Sequence, residues 1–168
     1  MNKYEFKATN LIAETFEGYG VKFRVIQENG LEEVQAGFPI KCGPAVLMRF
    51  ISRDDDNDVA AIILGLVTKV PEEKRMRIHE ACNVLNGTFR YLKCYSDFDG
   101  DINVEYDFPL KSADECIGEM AFEIFLRAMK ILQVQYDIFM KAIHTDEDLI
   151  LSTNLQAVQC EESSPYLQ

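Results

Sequence analysis

His79 and Cys82 stand three residues apart in a stretch with helical spacing, close enough to share a helix face. A histidine beside a cysteine can take its proton and leave a nucleophilic thiolate. The same spacing puts Cys82 on an apolar stripe with Ile78, Ala81 and Leu85, which reads as a core thiol. His144 is the one other histidine, and the five cysteines (Cys42, Cys82, Cys94, Cys116, Cys160) include no CxxC pair. Zinc needs about four such ligands, usually in close-spaced pairs, and they are not assembled here.

Two acidic stretches have the residue types for a hard cation. Asp54-Asp55-Asp56-Asn57-Asp58 carries carboxylates without ordered spacing, which suits a solvated loop that repels other sheet edges. Asp97, Asp99, Asp101, Asn103 and Glu105 alternate as calcium ligands do. An EF-hand loop, however, needs Gly sixth and Glu twelfth, and counting from Asp97 those places hold Ile102 and Phe108. Asp99-Gly100 between alternating strands is instead a hairpin tip. Asn83 and Asn86 lie near a helix end that Gly87 is expected to close; Asn86 is read as helping to cap it and Asn83 as bonding to nearby backbone. We therefore expect no catalytic, cofactor-binding or metal-ligating set and no enzyme activity. An acidic metal-responsive regulator using the Asp54–Asp58 and Asp97–Asp101 tips is the alternative.

The elements that must position these groups follow from periodicity. Asn2 with Glu5 reads as a capping pair for a helix over Lys3 to Glu17, with Ala8, Leu11, Ile12, Thr15, Phe16 and Tyr19 on its apolar side. Val21 to Gln27 and Leu31 to Phe38 read as strands about an Asn29-Gly30 turn. Ala45 to Arg53 and Asp58 to Thr68 read as central strands. In the second of these, Val59, Ala61, Ile63 and Val67 share one face and Ala60, Ile62, Leu64 and Leu66 the other. Both faces are apolar, whereas an antiparallel strand with one wet face alternates. Something must cover the second face: more helices, a twin subunit or another protein.

Pro71, Glu72 and Glu73 open a helix running to Asn86. Leu92 to Phe108 is a hairpin. Side-chain parity favours an odd loop, Asp99 to Asp101, which sets Phe98 beside Ile102 and Lys93 opposite Asp107. Ser112-Ala113-Asp114-Glu115 reads as a capping box for a helix from Ala113 to Ile143. At ~1.5 Å per residue that helix is about 45 Å long, so it bends or its second half packs beyond the sheet. The resulting organisation is one domain over residues 1–144 and an acidic, flexible tail over 145–168.

The chain has 168 residues, 48% of them hydrophobic, enough for one domain with a core. Its net charge of −11 argues against nucleic-acid and membrane-surface partners. Lys3, Glu5 and Lys7 interrupt the amino-terminal apolar residues, so no signal peptide is expected, and reduced thiols in the cytoplasm are.

The order helix, three or four strands, helix, two strands, helix resembles the YbjN-like family, bacterial proteins labelled sensory-transduction regulators. The resemblance rests on Val70-Pro71, Asn83-Val84-Leu85-Asn86, the Asp99-Gly100-Asp101 tip, Tyr106-Asp107-Phe108-Pro109-Leu110 and the long closing helix. It covers roughly Tyr4 to Ile143. It implies an α+β fold like that of type III secretion chaperones, often self-associating, acting by protein contacts and without catalytic residues. A partner protein or a homodimer is the expectation.

Overall fold

The computed structural model describes residues 3–55, 58–111, 114–146 and 149, with the backbone alone at 58 and 109–111. Helix α1 (Lys7–Gly18) leads into β1 (Phe23–Glu28), β2 (Leu31–Pro39), β3 (Ala45–Ser52) and β4 (Asp58–Val67). A 3-10 turn (Glu72–Lys74) then opens α2 (Arg75–Thr88), followed by β5 (Lys93–Ser96), β6 (Ile102–Lys111) and α3 (Ile117–His144). The strands form one antiparallel sheet in the order β1-β2-β3-β4-β6-β5. The class is α+β, with the element order expected.

One core lies between the sheet and the helices. Val34, Ala36, Met48, Phe50, Ala61, Ile63, Val104 and Phe108 alternate along their strands and are buried with Ile12 and Phe16 of α1, Ile78 and Leu85 of α2 and the inner face of α3. The Phe16 ring meets those of Phe50 and Phe125 at 5.4 and 5.5 Å, tying α1, β3 and α3 together. Such aromatic pairs add about 0.5–1.5 kcal/mol each beyond burial. At Gly118, a Cβ would lie 2.6 Å from the Leu11 carbonyl oxygen, so α1 and α3 approach closely because no side chain intervenes.

Several boundaries differ from the sequence expectation. Helix α1 starts at Lys7, not Lys3. The backbone N–H groups of Lys3 and Tyr4 donate to Asn10 Oδ1 at 2.9 and 3.0 Å, and those of Glu5 and Phe6 donate to the Glu32 carboxylate at 3.0 and 3.1 Å. A carboxylate from β2 thus takes the donors that a local cap would have taken. Asn2, the expected cap, lies outside the described residues.

Gly87 does not end α2, which runs on to Thr88, closed by Phe89 N–H on the Leu85 carbonyl at 2.8 Å. In β4, Gly65 adopts φ 63° and the alternation breaks there. Leu66 is consequently buried and Val67 half-buried, the reverse of the expected faces.

The β5–β6 hairpin keeps the expected parity but shifts by two residues. Ser96 pairs Ile102, Cys94 pairs Val104 and Lys93 pairs Glu105 rather than Asp107. Phe98, expected beside Ile102, is fully exposed. The loop closes on Asp97, whose Oδ1 accepts the N–H groups of Asp99 and Asp101 at 3.1 and 2.9 Å. This side-chain turn ends the ladder two residues early.

Helix α3 begins at Ile117 rather than Ala113. Glu115 turns instead to Lys7, 2.5 Å away; Ser112 and Ala113 lie outside the described residues. At 28 residues the helix is ~42 Å long. It is buried on one side as far as Ala142, and its second half packs on α2 and the lead-in to β5, where Gln135 Nε2 donates to the Leu92 carbonyl at 3.0 Å. The part expected to reach past the sheet is therefore covered within the chain. The 145–168 tail, apart from 145–146 and Leu149, falls outside the described residues.

Candidate functional site

Among the described residues, helices α1, α2 and α3 pack on the face that carries the core, and none of them lies on the opposite face of the sheet. Strand register reads that face directly. One row across the six strands is Arg24, Gln35, Arg49, Ile62, Glu105 and Lys93. The adjoining row is Ile26, Glu33, Ile51, Ala60 and Asp107. Leu47 lies on the same face, and Leu64 beside it is 52% exposed. The central strands β3 and β4 thus supply an apolar stripe of Leu47, Ile51, Ala60, Ile62 and Leu64. Polar and charged groups border it on both sides.

The bordering groups are organised. Arg24 Nε donates to Gln35 Oε1 at 2.9 Å, and Gln35 Nε2 donates to Glu33 Oε2 at 2.6 Å. Gln35 is 4% exposed although it lies on the open face. A hollow of about 320 Å³ opens between Arg24, Arg49, Ile26 and Leu31. On the far border the Tyr95 hydroxyl bonds to Glu105; burial, then the Glu105 and Asp97 carboxylates, raises the phenol above its ordinary value.

The acidic tips are used differently. Asp97 spends Oδ1 on two backbone N–H groups and Oδ2 on Asn103 Nδ2 at 2.9 Å. Asn103 Oδ1 in turn accepts the N–H of Gly65 at 2.8 Å, and Asp101 accepts that of Lys69 at 2.8 Å. The Asp101 backbone and then the Asn103 amide hold the Asp97 carboxyl below its ordinary value. Asp55 Oδ1 accepts the Lys7 N–H at 2.8 Å, at the start of α1. These carboxylates bind backbone, which is loop-building work. Among the described residues no group of three or more His, Cys, Asp or Glu side chains is arranged to hold a metal.

His79 is exposed while Cys82 turns into the core, 7% exposed. The thiol of Cys82 meets that of Cys94, whose Sγ also donates to the Cys82 carbonyl at 3.9 Å. The two titrate as a pair. A hydrogen bond from Cys94 favours the first thiolate, at Cys82, and that contact together with burial pushes Cys94 far up. Cys82 is thus the core thiol that its apolar stripe implied, turned away from His79 and with a thiol for a neighbour.

Asn86 was expected to cap its helix. Its side chain instead reaches β5, where Oδ1 accepts the Cys94 N–H and Nδ2 donates to the Cys94 carbonyl, both at 2.9 Å. It satisfies the backbone of an edge strand as a neighbouring strand would. Asn83 is exposed. Glu32 is a second polar residue whose place the sequence did not reveal. It is 2% exposed and bonded to Glu5, Phe6 and Gln27. Burial opposes its charge, but the adjacent Thr9 hydroxyl, the Gln27 amide and the two backbone donors outweigh burial and lower its carboxyl from the ordinary value.

Among the described residues no helix is long and apolar enough to cross a membrane. The YbjN family model, described as that of a putative bacterial sensory transduction regulator, matches residues 10–130. No curated protein shows significant similarity to the chain.

Proposed function

The chain belongs to the YbjN family, and on that footing we propose that it is a non-enzymatic, cytoplasmic regulatory domain that acts by binding a protein chain across the open face of its sheet. The observation that carries the reading is the apolar stripe on β3 and β4, with Leu64 52% exposed and no helix above it among the described residues. Isolated exposed apolar residues need no explanation, but a contiguous stripe with a charged rim is the form of a contact surface. An extended partner segment laid over a sheet, as secretion chaperones hold theirs, suits this shape. The cytoplasmic part of the proposal rests on the odd cysteine count without CxxC pairs.

Replacing Ile62 with Asp puts a charge in the stripe without touching the core. We expect the tagged Ile62→Asp protein to keep its circular dichroism. It should lose whatever the wild type retains from a lysate of its source organism. An unchanged set of retained proteins would count against the face as the contact surface. The metal-responsive alternative is less supported, because Asp55, Asp97 and Asp101 already bind backbone N–H groups. Calorimetry with calcium and magnesium decides it.

A further inference from the structure

We propose that Cys82 and Cys94 form a reversible disulfide within the folded chain, bonding α2 to the edge strand β5. The inference stands on the geometry of the core between those two elements and is independent of the reading of the open sheet face.

Both thiols are placed by contacts that do not depend on a bond between them. Cys82 and Asn86 are four residues apart on α2 and so share one face of the helix. Asn86 grips the backbone of Cys94 on both its N–H and its carbonyl, each at 2.9 Å. On the other side of the strand Cys94 pairs with Val104 of β6. Cys94 is thereby fixed against the turn of α2 that runs from Cys82 to Asn86. Its Sγ lies 3.9 Å from the Cys82 carbonyl oxygen and 3.4 Å from Asn86 Oδ1, and there the Cys82 thiol meets it. Both residues are buried and 12 positions apart in the chain, so the fold, not the local sequence, makes the contact. Bonding draws the two sulfurs together to ~2.05 Å.

The reaction takes a two-electron oxidant, and a small disulfide such as oxidised glutathione is one. It gains access as the α2–β5 region opens. The hydrogen bond from Cys94 favours the thiolate at Cys82. That thiolate attacks one sulfur of the oxidant, forms a mixed disulfide and expels a glutathione thiolate. Cys82 then no longer carries the charge that helped to hold the Cys94 proton. The proton passes to the expelled thiolate, and Cys94 attacks the Cys82 sulfur and expels the second glutathione. Two protein thiols and one oxidised glutathione become one protein disulfide and two reduced glutathiones. The cysteine sulfurs are oxidised and the glutathione sulfurs reduced.

The test is a titration of the full chain in glutathione buffers of graded ratio, in native solution and again in urea. Samples are quenched in acid, alkylated and peptide-mapped without reduction, and circular dichroism follows the native series. We expect the Cys82–Cys94 crosslink in native protein with an unchanged spectrum. Its effective concentration should be at least tenfold above that in urea, where only random chain closure brings the thiols together. Dithiothreitol should restore both thiols. An effective concentration at or below the urea value would overturn the proposal. So would glutathione retained on either cysteine in place of the crosslink, a link from either to Cys42 or Cys116, or a crosslink that forms only with loss of the native spectrum.

Discussion

The Asn86 side chain pairs with the backbone of Cys94 as a strand would, giving one hydrogen bond and taking another, each 2.9 Å long. Strand β5 has only four residues and forms one edge of the sheet. β6 bonds one side of it and an amide from α2 holds the other. The edge is thereby closed to strand addition at Cys94.

Asn86→Ala leaves both backbone groups of Cys94 without their partner. Two lost hydrogen bonds at a part-buried position are worth ~1–3 kcal/mol. We expect a fall in Tm of roughly 2–4 °C for each kcal/mol, and faster exchange of the Cys94 amide proton. Asn86→Asp keeps an acceptor for the N–H and loses only the donor, so it should fall between the two. Equal Tm values for Asn86→Ala and wild type would show that β5 does not depend on this pair.

Glu32 makes part of the stability sensitive to acid. Its carboxyl is lowered in the fold by the Thr9, Gln27, Phe6 and Glu5 groups, against the opposing effect of burial. A group lowered on folding contributes stability that is fully present above its unfolded value. That stability is lost as pH falls through the folded one. We expect Glu32→Gln to be less stable than wild type in urea at neutral pH. The gap should narrow as the pH drops below the ordinary carboxylate range. A gap independent of pH would mean that the carboxylate charge plays no part in holding residues 5 and 6.

What the sequence made legible was periodic. Ile78, Ala81, Cys82 and Leu85 are the buried residues of α2, as their spacing requires. Asn29 and Gly30, at φ 53° and 75°, form the turn their types favour. What stayed hidden were side chains that act on distant backbone. Glu32 serves amides 26 and 27 residues away, and Asn86 serves a strand that lies against its helix only after folding. Gly65 escaped because alternation reads residue type and cannot see a positive φ. Asp97, Asp99 and Asp101 did carry a signal, the spacing of an aspartate turn; their likeness to cation ligands and the Asp-Gly tight tip obscured it. The open face was legible in part. β4 showed two apolar sides, but parity within one strand could not say that Arg49 and Glu105 would flank it.

The thiols should sort by environment rather than by reactivity. Cys42 and Cys116 are exposed, while Cys82 and Cys94 are buried against each other. In native protein under iodoacetamide, we expect Cys42 and Cys116 to alkylate quickly. Cys82 and Cys94 should react together, only as fast as the α2–β5 region opens. Peptide mass spectrometry over time reads this directly. Fast, selective labelling of Cys82 would instead restore the activated-thiol reading.

Two glycines on helices should respond in opposite directions to the same substitution. Gly118 sits where α1 crosses α3, and a Cβ there would stand 2.6 Å from the Leu11 carbonyl oxygen and closer still to Thr15 Oγ1. Backbone cannot yield as a flexible side chain can, so Gly118→Ala must push the helices apart. Overpacking of this kind costs ~1–3 kcal/mol. Gly87 lies in α2, and a methyl group added there would meet nothing within 4 Å. Gly87→Ala therefore only removes backbone freedom from the unfolded chain, and near a helix end it should stabilise by ~0.5 kcal/mol. Urea midpoints of both variants test the pair. Were Gly118→Ala as stable as wild type, the α1–α3 crossing would not be closely packed, and the core would lose its tightest contact.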